Sequence, residues 1–321
     1  MNLAPIVLFV YNRPEHTLKT LESLFQNDLA NDSILYIFAD GPPANANLSE
    51  SEKIKKTREV LKKKNWCKEV IIIESDINKG LADSILSGVT EIVNKYGKII
   101  VLEDDLVLTK GFLKYMNEAL TLYENENEVM QVSGNLLPIL TEDVVNSESF
   151  FLKDLSCWGW ATWKRAWDHL ETDPKILIER IDSLPEGKKR FNLDGSYDFY
   201  NDLYENLIGS KKTWAIKWQA SVFLKNGLIL FPFKSLVTNI GNDGSGVHKG
   251  FTKKYLNKNT TEYVTVSKIP VIPSEEIRKR IKDFYTTNIP KNSFFPMWLR
   301  KLIAKFIPLS IKTKIAQYWI K

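Results

Sequence analysis

The chain has 321 residues, 44% apolar and 26% charged, a globular composition that excludes a disordered or fibrous protein and predicts one large domain or two ordinary ones. Two cysteines, Cys67 and Cys157, exclude a disulfide framework and a four-thiolate zinc site. The net charge of +5 is too mild for a nucleic-acid partner, and it resides in one place: residues 291–321 hold seven Lys and Arg and no acid, while the other 290 residues carry 37 positive and 39 negative charges.

Residues 6–11 form a continuous apolar run, as in a strand buried on both faces. Pro14 opens a helix, with Leu18, Leu21, Leu24 and Phe25 at helical spacing. Residues 34–39 predict a second strand, stopped by Asp40-Gly41-Pro42-Pro43. Ser49 starts a charged helix reaching residue 64, with Glu52 at a capping-box position. Residues 70–74 predict a third strand, and 80–93 a helix with Leu81, Ile85, Val89, Ile92 and Val93 on one face. A fourth strand over 99–102 runs into Glu103-Asp104-Asp105; a helix over 112–123 and a short strand over 130–133 follow. This alternation predicts βαβ units and a mostly parallel sheet, with ligands beyond the strands' carboxyl ends. Tyr11-Asn12-Arg13, Asp40-Gly41, residues 76–80 and Glu103-Asp104-Asp105 all fall there.

After residue 136 the rhythm breaks. Trp158, Trp160, Trp163 and Trp167 crowd residues 150–167. Residues 196–207 and 214–224 predict helices, 227–233 a strand, 239–250 a Gly-rich loop, and 274–285 a charged helix. No apolar run approaches the roughly 18 residues a membrane-spanning helix needs. Residues 1–10 lack a basic leader and contain Pro5, so the expectation is a cytoplasmic protein. In 294–307 the charges Arg300, Lys301 and Lys305 share one arc, with Phe295, Trp298, Leu299, Leu302, Ile303 and Phe306 on the rest. Such a basic amphipathic helix either rests on an anionic membrane surface, here the inner face of the cytoplasmic membrane, or packs on the domain.

Three carboxylates at the end of an apolar strand repel one another beside a low-dielectric core. Either a hard divalent ion offsets them or they form a solvated acidic turn. Arg13 either offers a planar fork to a diphosphate or is a surface arginine ahead of a helix. Lys79 either neutralises phosphate or is solvated, and Asp40 either contacts a ligand or caps its turn. The glycines of 239–248 let backbone amides approach an anion, and His248 is a candidate ligand for metal or diphosphate. Trp158, Gly159 and Trp160 either line a sugar pocket or belong to an aromatic core.

Val101-Leu102-Glu103-Asp104-Asp105-Leu106, followed by Gly111-Phe112 and Tyr115, resembles the metal-binding motif of GT-A glycosyltransferases, nearest to the N-acetylglucosaminyltransferase I group and its bacterial relatives. Tyr11-Asn12-Arg13-Pro14 resembles the opening loop of family 2 enzymes, and Asp40-Gly41 and Asn78-Lys79-Gly80 match later donor loops. The resemblance implies an α/β GT-A fold, with a mostly parallel central sheet flanked by helices and a helical C-terminal extension. Residues 1–290 would be the transferase domain, with 1–135 the nucleotide-binding half and 136–290 the acceptor and sugar half; 291–321 would be the basic tail. It implies Mn²⁺ or Mg²⁺ held by Asp105 and His248. Tyr11, Arg13, Asp40, Gly41, Asn78, Lys79, Gly80, Glu103 and Asp104 would bind the donor, and Trp158, Gly159 and Trp160 the sugar and acceptor.

An acceptor hydroxyl must lose a proton to a base. Where the related group has aspartates this chain has Ile216-Lys217-Trp218, which leaves inverting stereochemistry open. Asp194, Asp198, Asp202, Glu205 and Asp243 lie nearby in sequence, and Asp198, Asp202 and Asp243 are the candidates for the base. The implied activity is metal-dependent sugar transfer from a nucleoside diphosphate sugar to a glycan or lipid-linked glycan in surface polysaccharide synthesis. The alternatives are a sugar-phosphate nucleotidyltransferase and a membrane-associated module that binds a nucleotide sugar without turnover.

Overall fold

The structure is a computed structural model describing residues 2–139, 141, 143, 147–244, 255 and 259–288. His248 and the tail 291–321 lie outside the described residues. The first half runs β1 (Ile6–Val10), α1 (Pro14–Phe25), β2 (Ile34–Ala39), α2 (Leu48–Leu61), β3 (Glu69–Glu74), α3 (Leu81–Tyr96), β4 (Lys98–Glu103), β5 (Leu106–Leu108), α4 (Phe112–Leu122) and β6 (Val129–Ser133). The second half runs β7 (Ser149–Leu152), β8 (Trp160–Trp163), α5 (Lys164–Trp167), α6 (Pro174–Asp182), α7 (Gly187–Phe191), α8 (Phe199–Leu207), α9 (Ala215–Leu224), β9 (Leu228–Pro232), β10 (Val237–Asn239) and α10 (Glu275–Asn288).

One eight-stranded sheet has the order β3-β2-β1-β4-β8-β6-β9-β7. Strands β1 to β4 pair in parallel, as do β6 and β9. β8 runs antiparallel between β4 and β6, and β7 antiparallel to β9. This is the expected α/β class with a mostly parallel central sheet flanked by helices, and the second half of the chain completes the sheet begun by the first. The crossovers place β2 on one side of β1 and β4 on the other. That reversal of order opens a crevice at the carboxyl ends of β1 and β4.

β1 shows why the run is wholly apolar. Ile6, Leu8 and Val10 join the core under α1, α2 and α4. Val7 and Phe9 join the opposite core, with Ile85, Val89 and Ile92 of α3, Trp218 of α9 and Ile277 and Ile281 of α10. Both faces are covered, so alternation is lost. α3 ends where Gly97 turns left-handed at φ 78° and donates its N–H to Val93 O at 2.8 Å, a conformation glycine adopts without a Cβ clash.

The tryptophan-rich segment is chiefly core. Trp160 stacks on Trp214 at 5.2 Å, and Trp167 packs on Trp218 at 4.9 Å. Trp163 turns to the other face and donates Nε1–H to Leu120 O at 3.0 Å. α6, α8 and α9 enclose a smaller cluster around Leu177, Ile181, Leu203 and Ile216.

Candidate functional site

β4 delivers Glu103 in register beside Phe9, next to the exit of β1. The following turn is pinned from α1: Thr20 Oγ1 donates to Asp104 O at 2.9 Å and accepts from Leu106 N–H at 3.1 Å. β5 pairs antiparallel with β10, which carries the start of the Gly-rich stretch to the acidic turn. Ile240 N–H donates to Asp105 O at 2.8 Å, and Asn239 Nδ2 lies 3.5 Å from Asp105 Oδ1. A Cβ on Gly241 would run into the Asp105 carboxylate, so only glycine lets this loop close so tightly.

Arg13, the residue capping α1, points its guanidinium into this corner. Nη1 lies 2.9 Å from Asp105 Oδ2 and 3.5 Å from Asp104 Oδ1, and Nη2 lies 3.7 Å from Asp243 Oδ1. His16, one turn along α1, places Nε2 3.0 Å from Asp243 Oδ2. Burial, reinforced by Asp105 and Asp104, pushes the Glu103 carboxyl up to about 8, with Arg13 opposing. Burial and then Asp105 push Asp104 up to about 7, again against Arg13.

The expected donor loops form one latch. Asp40 accepts the backbone N–H groups of Gly41 at 2.9 Å, Lys79 at 2.8 Å and Gly80 at 2.9 Å. Asn78 Nδ2 donates to Gly41 O at 3.1 Å. A Cβ on Gly41 would sit 2.6 Å from both Ile77 N and Ser75 O. Asp40 therefore performs the capping role, and its two oxygens fasten the exit of β2 to the loop before α3. Tyr11 donates its hydroxyl to Glu50 Oε1 at 2.8 Å; burial and this bond raise its phenol well above the usual range. Lys79 has an exposed side chain.

The other expected residues divide. Trp158 is half-buried, edge-on to Tyr255 with ring centroids 5.9 Å apart. Gly159 is buried at φ 67°, and a Cβ there would press on Val237 Cγ2 at 2.9 Å, so the fold itself requires this glycine. Trp160 is 0% exposed, which corrects the expectation of a pocket residue: its ring is enclosed by Trp167 and Trp214 and has no face to offer a sugar. Asp198 caps α8, accepting from Asn201 N–H at 3.2 Å and Asn192 Nδ2 at 3.0 Å. Asp202 pairs with Lys211 at 2.7 Å, and Asp194 with Arg278 at 2.9 Å. Of the candidate bases, Asp243 is the one that meets Arg13 at the acidic corner. His16 was not anticipated. Its signal was its place three residues after Arg13 at the start of a helix, on the same face.

The resemblance implies a divalent ion on Asp105. Among the described residues, no three His, Cys, Asp or Glu side chains gather as a metal site. The space between Asp104, Asp105 and Asp243 is taken by the Arg13 guanidinium. Arranged this way, these residues do not fit a metal.

Asp154, between β7 and β8, has a buried Oδ2 without a hydrogen-bond partner. Burial pushes its carboxyl from 3.8 up to about 6, with Arg278 and Lys153 opposing and Glu275 and Asp194 reinforcing. A folded value above the unfolded one means that stability is lost as pH rises from about 4 through about 6. Asp154→Asn is therefore expected to stabilise the protein by about 2 kcal/mol at pH 8 and to be neutral near pH 4. Urea unfolding at both pH values checks this; an equal effect at both would contradict it.

No family model matches the chain, and no curated protein matches it. Among solved structures, the chain is similar to UDP-glucose pyrophosphorylase complexed with UDP-glucose, at 11% identity and a TM-score of 0.35, over 72% of this chain and 90% of that one. It is also similar to S. aureus TarS, at 12% identity and a TM-score of 0.37, over 75% of this chain and 37% of that one. Against residues 1–349 of TarS the values are 11% and 0.37, over 75% and 61%. Likeness at this level carries no argument about activity. Among the described residues no helix is long and apolar enough to cross a membrane.

Proposed function

We propose that the protein transfers a glycosyl group from a nucleoside diphosphate sugar to a hydroxyl of a glycan, free or lipid-linked, in surface polysaccharide synthesis. One observation supports this most. The crevice where strand order reverses holds a fixed guanidinium among the acids that end β4, beside the latched loops that end β2 and β3. A departing diphosphate gains negative charge as the sugar–oxygen bond breaks. A preorganised fork of N–H donors stabilises that charge without reorganising. In this reading Asp104 and Asp105 hold the fork, and Tyr11 and the Asp40 latch border the base and ribose. Trp158 borders the sugar. Asp243, with its side chain 43% exposed and one oxygen held by His16, takes the acceptor proton. Residues 291–321 are the membrane-facing element.

Incubation with a panel of nucleotide sugars and glycan acceptors tests the reading. Release of nucleoside diphosphate with a lengthened glycan is the expected result. Pyrophosphate formed from a sugar phosphate and a nucleoside triphosphate would replace it with nucleotidyl transfer. A nucleotide sugar that raises Tm by mass action and is never turned over would leave a binding module.

A further inference from the structure

We propose that Arg13 is the resident cation of this site, occupying the seat a divalent ion would need, so that added metal competes with the protein's own counter-charge. This rests on the diphosphate reading above only for what the cation serves. The seat itself is defined by the carboxylates.

Three of them converge on one guanidinium. Nη1 faces Asp105 Oδ2 at 2.9 Å and Asp104 Oδ1 at 3.5 Å, and Nη2 faces Asp243 Oδ1 at 3.7 Å. The inner part is enclosed, with side-chain exposure of 13% for Arg13, 12% for Asp104 and 18% for Asp105, while Asp243 at 43% forms the open side. Gly241 closes one wall, its missing Cβ leaving room for the Asp105 carboxylate and for Nη2, which such an atom would approach to 3.0 Å. Two of the other three oxygens have partners as well, Asp105 Oδ1 near Asn239 Nδ2 at 3.5 Å and Asp243 Oδ2 near His16 Nε2 at 3.0 Å. A Mg²⁺ or Mn²⁺ ion binds oxygen directly, at about 2.0–2.1 Å for Mg²⁺, and would compete for the same carboxylate oxygens that accept from Arg13. Two cations held on these oxygens would repel each other, so each weakens the binding of the other. A guanidinium can turn its outer N–H edge to a diphosphate while its inner edge remains on the acids.

The test is Mn²⁺ binding to the full chain, followed by loss of the free-ion electron paramagnetic resonance signal, with no nucleotide present. Arg13→Met is expected to bind Mn²⁺ at least about tenfold more tightly than wild type, because a fixed positive charge is removed and the oxygens are released. Equal affinity in the two proteins would overturn the proposal. Should Arg13→Met not fold, Asp105→Asn decides it from the wild-type side. Tight Mn²⁺ binding by wild type that is lost in Asp105→Asn would overturn the proposal; weak binding that does not depend on Asp105 supports it. Since no sugar donor enters the measurement, failure here leaves the transferase reading standing, and failure of the donor panel leaves this result intact.

Discussion

Arg13→Ala is expected to destabilise the protein by about 3–5 kcal/mol at pH 8, and by clearly less at pH 5, because it strands a buried carboxylate cluster without its partner. The direction follows from the raised carboxyls. In wild type, burial and then the neighbouring Asp105 push the Glu103 and Asp104 carboxyls up to about 8 and about 7, and Arg13 restrains both. Their folded values exceed the unfolded ones, so each costs stability as pH rises from the ordinary carboxylate range through its folded value. Without Arg13 that restraint is gone and the values climb further. At pH 5 the proton uptake that relieves the repulsion is cheap; at pH 8 the unfolded chain's carboxylates are fully ionised, and holding these groups protonated or leaving them charged in the folded variant costs more. Urea denaturation at the two pH values reads the difference. A deficit of the same size at both would mean that Arg13 contributes packing and little electrostatics. If transfer activity is established, the same substitution should lower kcat by about 10²–10³-fold, the usual effect of deleting one preorganised donor.

Trp218→Ala is expected to cost about 3–5 kcal/mol, with activity per folded molecule preserved. Trp218 is 0% exposed, packs on Trp167 and donates Nε1–H to Gln131 Oε1 at 2.8 Å. Gln131 in turn donates to Ser156 O at 2.8 Å, which ties β6 to the segment before Trp158. Trp218→Phe retains much of the packing but leaves Gln131 Oε1 unpaired in the core, for about 1–3 kcal/mol. Chemical denaturation ranks the three proteins. A Trp218→Phe protein of wild-type stability and no turnover would return residues 216–218 to the catalytic machinery, where the related group keeps its aspartates.

The first half was legible because its strands are continuous apolar runs and its helices begin and end on strong signals such as Pro14 and Gly97. What the periodicity missed was short or mixed. β5 and β10 have three residues each, too few to show a period, yet their pairing carries Asn239, Gly241 and Asp243 to the acidic turn. β7 and β8 have four residues each and are buried on both faces, so neither alternation nor helical spacing marks them. At the site, residue types singled out loops that the fold brings together, but pairings are long-range facts. That Arg13 would meet Asp105 across 92 positions could not be read from either neighbourhood. The same holds for Trp160, whose local context suits a sugar platform and whose burial depends on Trp214 arriving from a distant segment to stack on it.

The Asp40 latch bears on how a ligand would be received. Loops at the rim of an α/β sheet are commonly the segments that stiffen when something binds, and each immobilised side chain or loop subtracts from affinity. Here the backbone amides of Gly41, Lys79 and Gly80 are already bound to one carboxylate, and Gly41 packs so close to Ile77 and Ser75 that a side chain there would collide with their backbone. The ordering entropy of this rim is lost when the chain folds. A ligand that docks there meets a rigid template, so its recognition is by fit to a standing shape, and its association rate reflects collision and orientation more than loop closure.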